Sequence, residues 1–85
     1  MYQLLYHPRT EKFLKKISQK ELSKIILKLE RLRKDPNNKN LNIKKLATTQ
    51  KSYRLRLGNI RVIYELDKKN KIIYIHDIDF RGNIY

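Results

Sequence analysis

There is no cysteine in this 85-residue chain, which excludes a disulfide framework, a thiolate metal site and a thiol nucleophile. Only two glycines are present, and they build no glycine-rich phosphate loop. No run of residues approaches the roughly 18 apolar positions of a membrane span. The opening Met1-Tyr2-Gln3-Leu4-Leu5-Tyr6 is apolar but short, with neither a basic leader nor a cleavage site, so a cytoplasmic protein is expected. No Ser/His/Asp set and no zinc spacing occur. Length adds a bound of its own. It predicts one domain over residues 1–85, with one core between a sheet and a pair of helices and little room for a deep cofactor pocket. No metal and no small-molecule cofactor is therefore expected.

Acidic residues are scarce as well. Eight Asp and Glu stand against 21 Lys and Arg, a net charge of +13. Such a chain repels itself and needs an anionic partner. Nucleic acid is the first candidate, through counterion release from phosphates. An anionic membrane surface is the second. An acidic protein is the third and can coexist with the first. The plain alternative is a lysine-rich solubilising surface. Against it, seven of the 21 are Arg, and four of those fall from Arg54 onward.

What is present follows two periods. Tyr2 to His7 reads as a strand that Pro8 ends, and Pro8 suits the first turn of a helix. Phe13, Leu14 and Ile17 then fall at helical spacing. Ser18 and Glu21 form a capping-box pattern. It opens a second helix whose apolar face is Leu22, Ile25, Ile26, Leu29 and Leu32. Arg31, Arg33 and Lys34 suit the negative end of that helix, and Asp35-Pro36-Asn37-Asn38 stops it. Leu27 lies off the stripe, as a stray exposed residue or part of a partner-binding surface. Residues 37–51 read as a solvated connection anchored by Ile43 and Leu46 and carrying Lys39, Lys44, Lys45 and Lys51. From Ser52 the period becomes two. Ser52–Leu57 and Ile60–Leu66 are strands joined by Gly58-Asn59, a two-residue hairpin loop. Lys71–Asp79 is apolar on both faces and belongs centrally in the sheet. The order β-α-α-β-β-β predicts an α+β domain, two helices on one face of a mostly antiparallel sheet.

The hairpin loop fixes a register. Leu57 faces Ile60, Arg56 faces Arg61, Leu55 faces Val62, Arg54 faces Ile63 and Tyr53 faces Tyr64. Alternation puts the apolar members of these pairs toward the helices. Arg54, Arg56 and Arg61 then share the helix-free side. Opposed like charges such as Arg56 and Arg61 cost about 0.2–1 kcal/mol, and guanidinium forks match phosphate oxygens. This favours an anion site over a merely solvated surface.

Other titratable groups carry less. Continuing the last strand would put Arg81 on the side of Asp77 and Asp79. Asp67, Asp77 and Asp79 suggest ion pairs beside arginine rather than a metal site. Tyr85 has no fixed place from the sequence and reads on its own as a packing or terminal residue. Beside guanidinium groups its phenolate would be favoured, and it could then act as a base toward an RNA 2′-hydroxyl. His7 lacks a partner at useful spacing. His76, alternating with Tyr74 and Ile78, is expected on the helix-facing side.

The segment Tyr53-Arg54-Leu55-Arg56-Leu57-Gly58-Asn59-Ile60-Arg61-Val62-Ile63-Tyr64 resembles the Y-R-L-R-x-G-x-x-R-x-I-Y signature of the RelE/ParE toxin superfamily. Ile78-Asp79-Phe80-Arg81-Gly82-Asn83-Ile84-Tyr85 resembles its closing I-G-H-R-x-x-V-Y pattern, with Phe80 where many relatives have histidine. The resemblance spans the chain. It implies a toxin of a type II toxin–antitoxin system, neutralised by an acidic, RelB-like antitoxin that docks an amphipathic helix. RelE-like members cleave mRNA in the ribosomal A site by 2′-hydroxyl attack, without metal. By that resemblance Arg54 and Arg56 bind and activate the phosphate, and Arg61 stabilises the transition state. Arg81 orients the substrate or protonates the leaving oxygen through water, and Tyr85 is the base or stacks on a base. Lys44, Lys45 and Lys51 are the expected further contacts to mRNA and ribosomal RNA. The alternatives are a ParE-like gyrase inhibitor without nuclease activity and a basic RNA-binding module.

Overall fold

The computed structural model describes residues 1–47 and 50–80. Strand β1 (Gln3–Tyr6) leads into helices α1 (Pro8–Lys16) and α2 (Gln19–Lys34). Strands β2 (Asn42–Lys45), β3 (Ser52–Leu57), β4 (Ile60–Asp67) and β5 (Ile72–Phe80) follow. The sheet order is β1-β5-β4-β3-β2. β1 pairs parallel with β5, and every other pairing is antiparallel. The α+β arrangement is the expected one, with β2 as an added edge strand.

Local chemistry explains the helix boundaries. His7 caps α1, its Nδ1 accepting the Arg9 N–H at 3.1 Å, so this histidine has a structural task. Pro8 occupies the first turn, where a missing N–H does no harm. Ser18 caps α2, its Oγ accepting the Glu21 N–H at 3.2 Å. The reciprocal half of the capping box is not formed, and the Glu21 Oε2 is buried with no hydrogen-bond partner among the described residues. At the far end of α2 the Arg33 carbonyl accepts the Tyr2 N–H at 2.9 Å. The Arg33 Nε in turn donates to the Tyr2 carbonyl at 3.1 Å, tying the helix to β1.

The core lies between α2 and the sheet. Ile25, Leu29 and Leu32 meet Leu55, Val62, Tyr64, Ile73, Ile75 and Ile78, with Phe13 and Leu14 of α1 and Ile17 just after it packed at its margin. The stripe on α2 is narrower than expected, because Ile26 is 41% exposed. Leu41, inside the supposed solvated connection, is buried in the core. The residues after it form β2, whose Ile43 sits across from Leu55. A four-residue strand reading Asn-Ile-Lys-Lys shows no alternation, and lysines are what an exposed sheet edge favours.

One irregularity changes which side chains share a face. Between β4 and β5 the register runs Val62↔Ile78, Ile63↔Asp77, then Tyr64↔Ile75. His76 is the extra residue of a β-bulge. The bulge resets the alternation, so Ile75 and Ile78 both face the helices although three positions apart. His76 does not face the helices as expected. It contacts Glu65 and Tyr74, which oppose each other on the helix-free face.

Candidate nucleic-acid interface

The β3–β4 pairing is the expected one, pair for pair: Leu57↔Ile60, Arg56↔Arg61, Leu55↔Val62, Arg54↔Ile63 and Tyr53↔Tyr64. Gly58 makes the turn with φ +58, a conformation that favours glycine. A Cβ there would meet nothing within 4 Å, so the requirement is conformational rather than steric. On the helix side, Tyr53 and Tyr64 stack at 5.6 Å. Burial raises the Tyr64 phenol above the usual tyrosine range.

Pairing across all four strands lays out the helix-free face in rows. The first row, nearest the turn, is Asn42, Arg56, Arg61 and Asp79. The second is Lys44, Arg54, Ile63 and Asp77. The third is Ser52, Glu65 and Tyr74, with His76 beside them. In the first two rows charge is therefore graded across the strands. Cations occupy β2, β3 and the near end of β4, and carboxylates occupy β5. Arg61 stands at the boundary, with Arg56 on one side and Asp79 on the other. It is only 7% exposed, while Arg54 and Arg56 are half-buried. Burying a guanidinium requires compensation by opposite charge or hydrogen bonds, and the carboxylate column of β5 lies alongside.

The predicted residues thus divide. The structure brings Arg54, Arg56, Arg61 and Lys44 onto one surface. Lys45 opposes Tyr53 and so lies on the other face. Lys51 flanks the far end of the hairpin, where its charge helps lower the Asp67 carboxyl, after the dominant hydrogen bonds from Asn70. Arg81 and Tyr85 lie outside the described residues. No group of three or more His, Asp or Glu that could hold a metal occurs among the described residues. Sequence reasoning missed Glu65, Tyr74 and His76 as a cluster on this face. The signal that hides them is the bulge, which no alternation rule anticipates.

Two helices packed on a five-stranded, mostly antiparallel sheet is also the fold of solved RelE toxins. The family model for the ParE toxin of the type II toxin–antitoxin system, parDE, matches residues 4–85. The chain belongs to this family, within the RelE/ParE superfamily of type II toxins. Among solved structures it is similar to the archaeal RelE of a RelE–RelB complex from Pyrococcus horikoshii OT3. Identity is 28% and TM-score 0.84, over 96% of this chain and 97% of that one. It is similar to RelE of a RelB–RelE antitoxin–toxin complex from Methanococcus jannaschii at 25% identity and TM-score 0.76, covering 95% and 94%. Isolated E. coli RelE shares the fold at TM-score 0.81 and 16% identity, covering 98% and 87%. A search of the curated proteins gives no match. No helix among the described residues is long and apolar enough to cross a membrane.

Proposed function

We propose that this toxin is a cytoplasmic, ribosome-dependent endoribonuclease that cuts mRNA in the ribosomal A site without a metal. The observation that carries the reading is the co-facial set Arg54, Arg56 and Arg61 on the helix-free side of the hairpin. Arg54 and Arg56, half-exposed, hold the scissile phosphate. The adjacent ribose 2′-oxygen attacks phosphorus, forming a 2′,3′-cyclic phosphate and releasing the 5′-oxygen of the next nucleotide. Arg61, in its drier setting, stabilises the charge that builds on the phosphorane, because fixed cations act more strongly where water is excluded. Tyr85 is assigned as the base that takes the 2′-proton. Arg81 is assigned to orient the substrate and to deliver a proton to the leaving oxygen through water. Lys44 extends the phosphate track and Lys51 flanks it. Lys45, on the other face, is assigned to ribosomal RNA at the rim.

Outside the ribosome, an acidic RelB-like antitoxin is the proposed partner. The RelE–RelB complexes from Pyrococcus horikoshii and Methanococcus jannaschii and the +13 net charge support it. Primer extension on mRNA from programmed ribosomes tests the activity. Discrete A-site cuts that vanish with Arg61→Ala are expected, and no cuts at any concentration would defeat the proposal. The family model favours a second reading, a gyrase inhibitor without chemistry of its own. Inhibition of DNA supercoiling together with intact mRNA would establish it.

A further inference from the structure

The arginine rows occupy only the turn end of the open face. At the other end, opposed pairs Glu65↔Tyr74 and Asp67↔Ile72 floor a hollow of about 210 Å³, with Lys51 alongside. Tyr74 and His76 meet edge to face at 4.5 Å. In such a contact each ring keeps at least one face that the other does not use. The His76 Nε2 lies 3.4 Å from the Glu65 Oε1, so the carboxylate lies beside the rings. All three side chains are partly exposed. The bulge at His76 is what turns its ring to this side, and bulges are over-represented where a fold re-aims a side chain next to an active site.

We infer that Glu65, Tyr74 and His76 form a base-binding subsite for single-stranded RNA, selective for a base with an exocyclic amino group. The inference rests on the nuclease reading for its setting, since the strand bound here is the one whose phosphate lies on the arginines. Glu65 is four residues from Arg61 along β4, about 13 Å at roughly 3.3 Å per residue, so one short strand can touch both regions. The Tyr74 ring offers a stacking surface to any base. An ionised Glu65 only accepts hydrogen bonds. It therefore pairs with the cytosine amino group and repels uracil, which presents a carbonyl oxygen at the same place. Lys51 can take a neighbouring phosphate. The hydrogen bonds from Asn70 to Asp67 occupy the second carboxylate near the hollow and leave Glu65 as the discriminating one.

The test uses the full chain and 2′-O-methyl pentauridylate, which cannot be cleaved, against five versions with one cytosine each. Fluorescence anisotropy at fixed salt reads the affinities. One position should favour cytosine about tenfold. Glu65→Gln should abolish that preference, because the amide offers both donor and acceptor. Tyr74→Ala should weaken every pentamer by about tenfold, within the range for loss of one stacked base, and Tyr74→Phe should restore binding. Thermal melting of each variant verifies the fold. Equal affinities at all five positions, or a preference that survives Glu65→Gln, would overturn the subsite. Failure of the nuclease reading is distinguishable, because ribosomes programmed with mRNA would remain uncut whatever the pentamer affinities.

Discussion

Leu55, Val62, Tyr64 and Ile75 lie on one surface of the sheet with at most 1% exposure. Their chain neighbours Arg54, Arg56, Ile63 and His76 lie partly exposed on the other. The strands are the same, so the difference belongs to the faces. The helix side gathers side chains that gain by leaving water, at roughly 25 cal/mol per Å² of apolar surface. The open side sets Arg56 against Arg61, a contact that costs stability and that an RNA phosphate would relieve. One surface holds the fold together, and the other, under the proposed function, accepts local strain in return for an anion site.

Substitutions on the two faces should therefore separate stability from activity. The largest effect belongs to the core. Leu29→Ala should lower unfolding free energy by about 2–5 kcal/mol, read from the urea midpoint, and a small loss would show that the α2–sheet contact is not the main core. Next is Arg61→Ala, which should reduce A-site cleavage by about 100- to 1000-fold while the protein remains folded by circular dichroism. If activity survives, the arginine face is not the chemical one. Ser18→Ala removes the α2 cap and should cost about 1 kcal/mol in the same urea titration, with cleavage unaffected.

Smaller effects sharpen the contrast. Arg56→Ala should raise stability by about 0.2–1 kcal/mol, since opposed like charges are relieved, yet weaken RNA binding. A variant both less stable and fully active would reverse the assignment of the face. Tyr64 gives a signature of the buried side in alkali. Burial raises its phenol above the ordinary value of 10.0, so the folded state holds a proton that the unfolded state releases. Its contribution is fully present below pH 10 and declines as pH climbs through and beyond that value. Melting temperature followed from pH 9 upward should fall more gently in Tyr64→Phe than in the parent.

The fold was legible wherever a local rule operated without interruption. The helices were marked by Pro8 and Ser18 and by the spacing of Ile25, Leu29 and Leu32. The β3–β4 register followed from a two-residue loop and strict alternation, and with it the shared face of Arg54, Arg56 and Arg61. Ile26 fits the helical period as well as Ile25 does. Its exposure depends on where α1 and the sheet edge end, which no single helix encodes.

By itself, then, the sequence determined the charge, the helix boundaries, the hairpin and the arginine surface, because each follows from neighbours in the chain. Only the tertiary structure decided that Asn42–Lys45 is a strand, that Lys44 and Lys45 part to opposite faces, and that His76 joins Glu65 and Tyr74. An edge strand is made by the partner it borrows hydrogen bonds from, and a bulge by the mismatch between two strands. Both are properties of pairing, and pairing exists only once distant segments have met.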